Sequence, residues 1–560
     1  MDKIKVFALG GLDENGRDSY VIEINDDIFV IDAGIALTDK TIPGIDCILP
    51  NFDYVIKNKN RLKAYIITHG HDEDMAALKY AYKFAPAPVY CTVTTRRNIE
   101  GDAMIHHMNI NFEFVGIMPS EHKIIAGRNF QFFQTCHNVA NSFGVAIETD
   151  RGNIVYTGDY IVDFAVKESG YIFDLKTLEK ISEKKTFLLL NESKAANKDG
   201  YCSPKHRVTS KIENYFKENK RIFVSSFWQN SFRIMEVCNL IKKYNKKVYF
   251  YDEYTRQVMN IIMPSNCGIN LLPTDIVSKE DFLRVRRQDM VILILGHSGE
   301  LYDQISLIAK NENADKRIAL DKNDVFISCS IPTATLEVKA THSMDDLYRT
   351  GCEVSWFKSK DVLSMHARKD DIRFFLSLLK PSYYLPVRGS YTNLMENARL
   401  AVSAGVGLTH MSVFVIDNGT QLIFDDNSTR PRIVNDPNLN VEPLVVDGTG
   451  VSKAGSSIIE DRKKLGNDGV VIITATVSKS LKKIIAGPDC QMRGFVFSKE
   501  VEPLLKSFNA MIVEEINIAF AQNSFDVDKV CEIVSERASR FIRRENGRQP
   551  FIIPSIILVE

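Results

Sequence analysis

The amino-terminal part of the chain, to about residue 165, alternates short apolar runs with polar turns. The runs KVFALGG, SYVIEI and DIFVIDAG are separated by Gly, Asn and Asp, which predicts β-strands. VAIETDRGNIVYTGD is divided by an Asp-Arg-Gly-Asn turn, as in a hairpin, whereas the apolar positions of DMAALKYAYKFA have the spacing of a helix. This region is therefore predicted to be rich in strands, with helices between them.

From about residue 205 to residue 357 the pattern changes to a regular alternation of helix and strand, as in KIENYFKENK followed by RIFVSSF. Such alternation predicts βαβ units and a mostly parallel sheet. The earlier pattern resumes after residue 357 without an obvious linker, so this second domain is predicted to be inserted into the first. The Asp-, Asn- and Pro-rich stretch DDNSTRPRIVNDPNLNV then predicts a linker before a third domain, which ends in the strand PSIILVE.

Length and composition restrict the class of protein. A chain of 560 residues exceeds the roughly 250–300 residues at which single cores stop growing, so three or more domains are expected. The net charge of −1 gives no overall attraction to nucleic acid or to an anionic membrane, so any polyanion site must be a local patch. There is no signal-length apolar segment at the start and no apolar stretch of about 18 residues. These features predict a cytoplasmic protein.

Three histidines and an aspartate follow predicted strands. His69 and His71 come after AYIIT, His137 ends FFQTCH, and Asp159 ends NIVYTGD. Taken singly, each histidine is more often a surface or core residue, but strand ends are where sheet-borne sites usually lie. Three histidines and one aspartate are enough for a tetrahedral zinc site.

The segments THGHDEDMAAL, CHNVANSFG and YTGD resemble motifs of the metallo-β-lactamase fold, in order and in spacing. The closer resemblance is to ribonuclease J, through GGLDENGRDSY, FVIDAG, GIDCILPNFDY and LLKPSYYLPVRGSY, and through LVVDGTGVSKAG and AGPDCQMRGFVF near the end. This resemblance implies an α/β protein: a metallo-β-lactamase αββα sandwich with an inserted α/β β-CASP domain and a small α/β C-terminal domain. The implied boundaries are 1–204 and 358–425 for the sandwich, 205–357 for the insertion, 426–445 for a linker and 446–560 for the C-terminal domain.

The resemblance also implies a metal centre, from which this chain departs. His69, His71 and His137 would hold a first metal, with Asp159 bridging to a second. The family loop H-x-H-x-D-H ends here in Glu73 and Asp74. The family's next strand-end carboxylate corresponds to Glu192, and the histidine of its P-V-H-G motif is replaced by Arg388. One zinc site is therefore predicted, whereas the ligands of a second zinc or manganese are largely replaced.

The interpretation of the second metal position depends on Arg388. A guanidinium stays protonated and has no lone pair for a metal, so Arg388 would place a fixed positive charge where a cation should bind. We hypothesise that it replaces the second metal electrostatically by donating charge-assisted hydrogen bonds to two carboxylates from its planar fork. The competing view is that Glu73 and Asp74 form an all-oxygen site suited to manganese or magnesium.

Substrate-binding residues also differ from the family pattern. The family's Ser-Gly-His-Ala-Ser segment corresponds to residues 364–368. This segment keeps His366, which is a candidate for catalysis. Ser364 and Arg368 are candidates for binding phosphate. Met365 replaces the glycine and is expected to hinder close approach of an RNA backbone. SSFWQN keeps Asn230, and its Trp228 is equally suited to stack on a base or to plug an unused groove.

The remaining histidines match no metal motif, and surface or capping roles are predicted for His106, His107, His122, His206, His297, His342 and His410. LGHSGEL, which contains His297, resembles a family loop near the RNA channel.

Two functions remain open. The first is a metal-dependent ribonuclease of RNA degradation and maturation, a 5′-exonuclease or endonuclease with reduced activity. Its metal ligands would be His69, His71, His137 and Asp159, its catalytic residues His366, Glu73, Asp74 and Glu192, and its RNA-binding residues Ser364, Arg368, Asn230 and Arg388. The second is an inactive RNA-binding or scaffolding subunit that partners an intact ribonuclease J. For either, the resemblance implies assembly into homo- or hetero-oligomers through the C-terminal domain.

Overall fold

The structure is a computed structural model that describes residues 1–37, 44–265, 267–425, 430–448, 450–453, 456–494, 501–521 and 525–560. The chain forms two compact units. The larger unit comprises residues 1–37 and 48–443, and the smaller comprises residues 38–47 and 444–560.

Two stacked β-sheets form the centre of the larger unit. In spatial order, the first sheet contains β21 (Arg432–Asn435), β20 (Thr420–Phe424), β1 (Ile4–Gly10), β2 (Ser19–Ile24), β3 (Asp27–Ile31), β6 (Leu62–Ile66), β7 (Val89–Cys91) and β8 (Phe114–Gly116). The second contains β19 (Tyr383–Val387), β13 (Thr186–Glu192), β12 (Gly152–Tyr156), β11 (Phe143–Thr149), β10 (Arg128–Gln134) and β9 (His122–Ile125). Short strands β4 and β5 cover Ala36–Leu37 and Cys47–Leu49. Apolar side chains of the two large sheets interdigitate, with the Phe29 and Phe130 ring centroids 5.0 Å apart.

Helices cover the outer faces of this sandwich. On the first sheet, Tyr54 contacts Phe7, with ring centroids 5.0 Å apart. On the second, Phe375 contacts Phe133, with ring centroids 6.3 Å apart. The helices of this part are α1 (Asp53–Lys57), α2 (Asp72–Met75), α3 (Leu78–Tyr82), α4 (Val93–Ile105), α5 (Leu175–Ser182), α11 (Lys369–Leu379) and α12 (Tyr391–Ser403). The order is therefore helix, sheet, sheet, helix.

A third sheet forms the inserted domain, and its five strands are all parallel. Their order is β15 (Lys247–Phe250), β16 (Met290–Gly296), β14 (Arg221–Phe227), β17 (Asp324–Ser328) and β18 (Glu353–Trp356). Every residue of β16, MVILILG, is buried, as expected for a parallel strand covered on both faces. Its helices are α6 (Thr209–Lys217), α7 (Ser231–Lys243), α8 (Glu253–Ile262), α9 (Ser298–Ala309) and α10 (Glu337–Arg349).

The predicted fold class is confirmed, because the αββα sandwich is interrupted by this parallel α/β insertion. The domain boundaries stay predictions. Within the expected linker, 426–445, residues 432–435 form β21 and pair with β20, whereas residues 426–429 lie outside the described part of the chain.

The smaller unit contains a hairpin and a three-stranded sheet. The hairpin pairs β22 (Leu444–Asp447) with β23 (Gly450–Lys453), and the sheet contains β25 (Lys483–Arg493), β24 (Val470–Ser478) and β26 (Phe551–Val559). The helices are α13 (Ser456–Asp468), α14 (Val501–Phe520) and α15 (Val527–Asn546). Phe508 of α14 and Val534 of α15 pack with Val471 and Ile473 of β24, so both long helices cover one face of this sheet.

One predicted surface histidine is buried. His206 has no exposed surface and lies against Phe232, with ring centroids 5.3 Å apart, so a surface or capping role was wrong for it. Among the helices within the described residues, none is both long and apolar enough to cross a membrane.

Candidate metal centre

The strand ends of the sandwich bring the predicted ligands together. His69, His137 and Asp159 are each the third residue after a strand, which end at Ile66, Gln134 and Tyr156. Glu192 is the last residue of β13, and Arg388 directly follows β19. The sheets thus deliver side chains from distant parts of the sequence to one location.

The first group of ligands, the histidine cluster, consists of His69, His71, His137 and Asp159. One potential ligand atom from each lies within 4.8 Å of all the others, and all four residues are buried. Nε2 of His69 lies 3.0 Å from Nδ1 of His71, and Oδ2 of Asp159 lies 3.7 Å from His69 Nε2 and 3.6 Å from His137 Nε2. The cluster has the composition and spacing of a four-ligand metal site.

The outer ring nitrogens orient these histidines. His137 Nδ1 is 2.8 Å from the carbonyl oxygen of Met365, which can only accept, so Nδ1 donates and Nε2 carries the lone pair. That buried Nε2 has no hydrogen-bond partner within the described residues. His69 Nδ1 faces Thr68 Oγ1 at 3.0 Å, and Thr68 is held by Asp32. An unpartnered, buried nitrogen backed by an outer hydrogen bond fits a metal ligand.

Burial also keeps two of the rings in the form that binds metal. Burial, with His69 nearby, lowers the pKa of His71 to about 3. Burial likewise holds the pKa of His137 well below its usual value. Both imidazoles are therefore neutral at pH 7 and can offer a lone pair.

The second group, the carboxylate cluster, consists of Asp18, Glu73, Asp74 and Asp159. The guanidinium of Arg388 is fully buried among them. Nη1 donates to Asp74 Oδ1 at 2.6 Å, Nη2 donates to Asp159 Oδ2 at 3.1 Å, and Nη2 lies 3.2 Å from Asp18 Oδ2. The guanidinium predicted to bind RNA thus faces carboxylates inside the protein.

A second cation reaches the same cluster. The ammonium of Lys194 pairs with Glu73 and lies 3.6 Å from Asp159 Oδ2 and 4.0 Å from Asp18 Oδ2. Although burial raises the pKa of each carboxyl, Lys194 holds the pKa of Glu73, and Arg388 that of Asp74, below the usual range. Glu73 and Asp74 are therefore ionised beside the two cations, whereas burial raises the pKa of Asp18 well above its usual value.

The catalytic candidates His366 and Glu192 contact each other beside Asp159. His366 Nδ1 lies 3.1 Å from Glu192 Oε2 and 3.7 Å from Asp159 Oδ2. Glu192 is buried, and its Oε1 accepts from the backbone N–H groups of Tyr160 at 2.8 Å and Ala367 at 3.0 Å. Glu192 thus fixes the His366 ring next to the histidine cluster.

The RNA-binding candidates differ in exposure and lie on different elements. Ser364 is exposed and Arg368 is half-buried, at the start of α11. Asn230 caps α7, where its side-chain oxygen accepts from the Arg233 N–H at 2.9 Å. Trp228 is half-buried and packs against the core. Among the hydrogen bonds and ion pairs of the described residues, no side-chain contact joins these four residues to His69, His71, His137 or Asp159.

The expected steric role of Met365 was wrong. Its side chain is 3% exposed and belongs to the hydrophobic core. Because the side chain points into the protein, it cannot hinder an approaching RNA backbone. Its contribution to the site is the carbonyl oxygen that orients His137.

Sequence reasoning missed Lys194, Asp18 and Asp32. Asp32 directly follows β3 and Lys194 comes two residues after the end of β13, so the strand-end signal that found the histidines applies to both. Asp18 directly precedes β2. Both aspartates lie in segments that resemble family motifs, RDSY and FVIDAG.

His297 contacts the metal loop from the inserted domain. It precedes α9, and its Nε2 lies 2.7 Å from Oδ2 of Asp72, the residue after His71. The insertion therefore touches the loop that carries two of the predicted metal ligands.

Comparisons with known proteins agree with this architecture. The family model "Ribonuclease J, beta-CASP domain" matches residues 219–347, and "Ribonuclease J C-terminal domain" matches residues 457–559. The proteins named Ribonuclease J 2 of Staphylococcus saprophyticus and of Staphylococcus aureus strain NCTC 8325 are 28% and 27% identical to this chain, over 99% of it and 98% of each relative. A solved structure of a protein of unknown function from Enterococcus faecalis V583 covers 75% of this chain and 100% of its own, with a TM-score of 0.51 and 13% identity.

The αββα sandwich, the parallel insertion and the histidines at the strand ends define a metallo-β-lactamase-fold protein of the β-CASP group. Within that group, the chain is similar to ribonuclease J in its insertion and in its C-terminal part, and to the two named relatives over nearly its whole length.

Proposed function

We propose that this protein acts in RNA degradation and maturation as a metal-dependent ribonuclease with one metal ion and reduced activity. The observation that carries the proposal is the pair of neighbouring clusters: one offers imidazoles to a metal, and the other is filled by the guanidinium of Arg388. The similarity to ribonuclease J supports RNA as the substrate. The cytoplasm is the proposed location.

Zinc is the ion we propose for the histidine cluster, because three imidazoles and one carboxylate are ligands that zinc prefers. When bound, zinc supplies a Lewis acid and lowers the pKa of a water molecule to near 7. Asp159 would be the negatively charged ligand. Thr68 holds the ring of His69 in place, and the Met365 carbonyl holds the ring of His137.

His366 is the proposed proton-transfer group. Because its Nδ1 faces Glu192, the other ring nitrogen is available to give a proton to the leaving oxygen or to take one. We propose that Ser364, Arg368 and Asn230 contact the RNA. Arg368 offers phosphate a charge-assisted hydrogen bond, whereas the serine hydroxyl and the asparagine NH2 group offer neutral ones. In this proposal Glu73 and Asp74 hold Lys194 and Arg388 rather than a metal.

The expected loss of rate follows from the missing second ion. Two metals clamp both the attacking and the leaving oxygen in phosphodiester hydrolysis, whereas one ion does half of this. If the missing Lewis acid is worth several kcal/mol, at about 1.4 kcal/mol per factor of ten the rate falls by roughly a thousandfold.

Degradation of a 5′-monophosphorylated RNA by the purified protein, with zinc or manganese, tests this proposal. We expect slow cleavage that is lost in a His69→Ala, His71→Ala double variant and in the presence of a chelator. Cleavage that persists in both would contradict a role for the histidine cluster.

The second candidate is a non-catalytic RNA-binding or scaffolding subunit that partners an intact ribonuclease J. The filled carboxylate cluster favours it, because a subunit without independent activity needs no second metal. Exposed apolar residues on one side of β26, namely Ile553, Ile557 and Val559, support assembly through the C-terminal domain with another copy or another family member. Absence of cleavage above the double variant, from a protein that still binds RNA or an intact relative, would favour this function.

A further inference from the structure

The carboxylate cluster is paired with positively charged side chains of the same chain. Two side-chain cations contact its four members, which are Asp18, Glu73, Asp74 and Asp159. We propose that Arg388 and Lys194 together replace a second divalent cation, so that this protein is built for one metal ion. The inference deepens the proposed function and rests on it for the ion at the histidine cluster.

Arg388 reaches three of the four carboxylates. Its Nη1 donates to Asp74, and its Nη2 contacts both Asp159 Oδ2 and Asp18 Oδ2. Its Nε is 2.8 Å from Asp159 Oδ1. A planar guanidinium can contact several carboxylates at once because its five N–H groups point in fixed, divergent directions. Arg388 therefore bridges carboxylates as a metal ion would.

Lys194 pairs with the remaining carboxylate of the cluster, which is Glu73. Arg388 has no contact with Glu73 among the ion pairs of the described residues, whereas the Lys194 ammonium pairs directly with it. Lys194 also shares Asp159 and Asp18 with Arg388. The two side chains carry the same total charge as one divalent cation and are distributed over all four carboxylates.

A metal ion would have to compete with this arrangement. Zinc needs carboxylate oxygens at about 2.0–2.2 Å, but Asp74 Oδ1 already has a guanidinium nitrogen at 2.6 Å and Asp159 Oδ2 has one at 3.1 Å. Neither cation is removed by deprotonation, since a guanidinium stays charged and the neighbouring Asp159 and Glu73 carboxylates favour the charged form of Lys194. The second metal that the family pattern implies does not fit these residues.

The arrangement also joins five separate segments without a metal. Asp18 precedes β2, Glu73 and Asp74 lie in α2, and Asp159 follows β12. Lys194 and Arg388 come from the loops after β13 and β19. We therefore expect the carboxylate cluster to keep its geometry when the histidine cluster loses its ion.

Metal counting on the full-length protein tests the inference. Native mass spectrometry after zinc loading and buffer exchange would compare the wild type with a His69→Ala, His71→Ala variant and with an Arg388→His, Lys194→Ala variant. The matched control is Arg373→His, Lys369→Ala, which removes one arginine and one lysine from surface ion pairs with Asp370 and Asp199.

We expect about one zinc ion per chain in the wild type and in the control, none in the histidine variant, and about two in the Arg388, Lys194 variant. About two zinc ions in the wild type, or one retained by the histidine variant, would overturn the inference. Either result can be read even if the Arg388, Lys194 variant does not fold. A folded variant that gains no ion would also overturn it.

The same measurement separates this inference from the proposed function. A wild type that binds no zinc, beside an Arg388, Lys194 variant that gains one ion, would refute the proposed zinc site and support the replacement of the second metal. A wild type that binds about two ions would support a zinc site at the histidine cluster, but it would refute the replacement and the single-metal part of the proposed function.

Discussion

The two clusters of the strand-end site share Asp159 but balance its charge in different ways. The histidine cluster surrounds it with imidazoles, and the Nε2 of His137 has no hydrogen-bond partner among the described residues. The carboxylate cluster surrounds it with the guanidinium of Arg388 and the ammonium of Lys194. The first arrangement is suited to an external cation, whereas the second supplies cations from the chain itself.

This difference shows that one scaffold can meet the same electrostatic requirement in two ways. Burying several carboxylates together is costly unless each is paired, and both a metal ion and a guanidinium provide pairing. A metal can be removed by a chelator, but a side chain cannot. The carboxylate cluster should therefore contribute to stability under all metal conditions, and the histidine cluster when metal is bound.

The largest effect is expected for Arg388→Met. The substitution keeps an unbranched side chain but leaves Asp74, Asp159 and Asp18 buried without this cation, which costs about 3–5 kcal/mol of unfolding free energy. Urea denaturation followed by circular dichroism, with chelator present, would measure the loss. Arg373→Met, at an exposed ion pair with Asp370, is the control and should lose less than about 1 kcal/mol. Equal unfolding free energies of Arg388→Met and Arg373→Met would contradict the stabilising role of Arg388 in the carboxylate cluster.

The next largest effect is on metal affinity in His69→Ala, His71→Ala. Removing two ligands should weaken zinc binding by more than about 100-fold, since removal of an outer partner alone costs about 10- to 100-fold. Isothermal titration with zinc would measure this, with His410→Ala, an exposed histidine, as the control. Without metal, the double variant should be more stable than Arg388→Met. The opposite order would mean that the two clusters had been assigned the wrong roles.

A smaller effect is expected where a buried carboxylate has backbone partners instead of cations. Asp371 accepts from the N–H groups of Val162 at 2.9 Å, Cys202 at 3.1 Å and Arg368 at 3.0 Å. Asp371→Asn should cost about 1–3 kcal/mol, because one acceptor oxygen becomes a donor. Chemical denaturation would measure this cost, and a cost as large as that of Arg388→Met would show that cation pairing is not what distinguishes the carboxylate cluster.

This cost should depend on pH. Burial raises the pKa of Asp371 to about 6 from 3.8. Its protonated form therefore stabilises the fold fully below pH 3.8, and that contribution is lost as the pH rises through 6. Because asparagine does not titrate, the difference in unfolding free energy between wild type and Asp371→Asn should be smaller at pH 8 than at pH 5. A difference that is constant over this range would contradict the assignment of the raised pKa.

The smallest effect is expected for His297→Ala, which touches the metal loop outside both clusters. It removes the 2.7 Å contact with Asp72 at a partly exposed position. The change in unfolding free energy should be at most about 1 kcal/mol, and zinc affinity should change little. A large loss of zinc affinity in the same titration would show that the inserted domain controls the histidine cluster.

The sequence was most informative where local signals coincide with tertiary structure. Strand ends can be read from apolar runs, so the meeting of His69, His137 and Asp159 could be predicted, and the replacement of a histidine by Arg388 suggested a cation among carboxylates. Lys194 lies just after a strand and could have been found in the same way, whereas Asp18 precedes its strand and its partners lie far away in the sequence. The prediction for His206 was wrong because a polar ring predicts exposure, whereas the fold buries this ring against Phe232.

The most direct test of a metal-binding cluster beside a cation-filled cluster is a crystal structure of the zinc-loaded protein, with anomalous data collected at the zinc edge. The account predicts one anomalous peak, among His69, His71, His137 and Asp159, and Arg388 with Lys194 in contact with the carboxylates. A second peak between Asp74 and Asp159, with the guanidinium displaced, would contradict it.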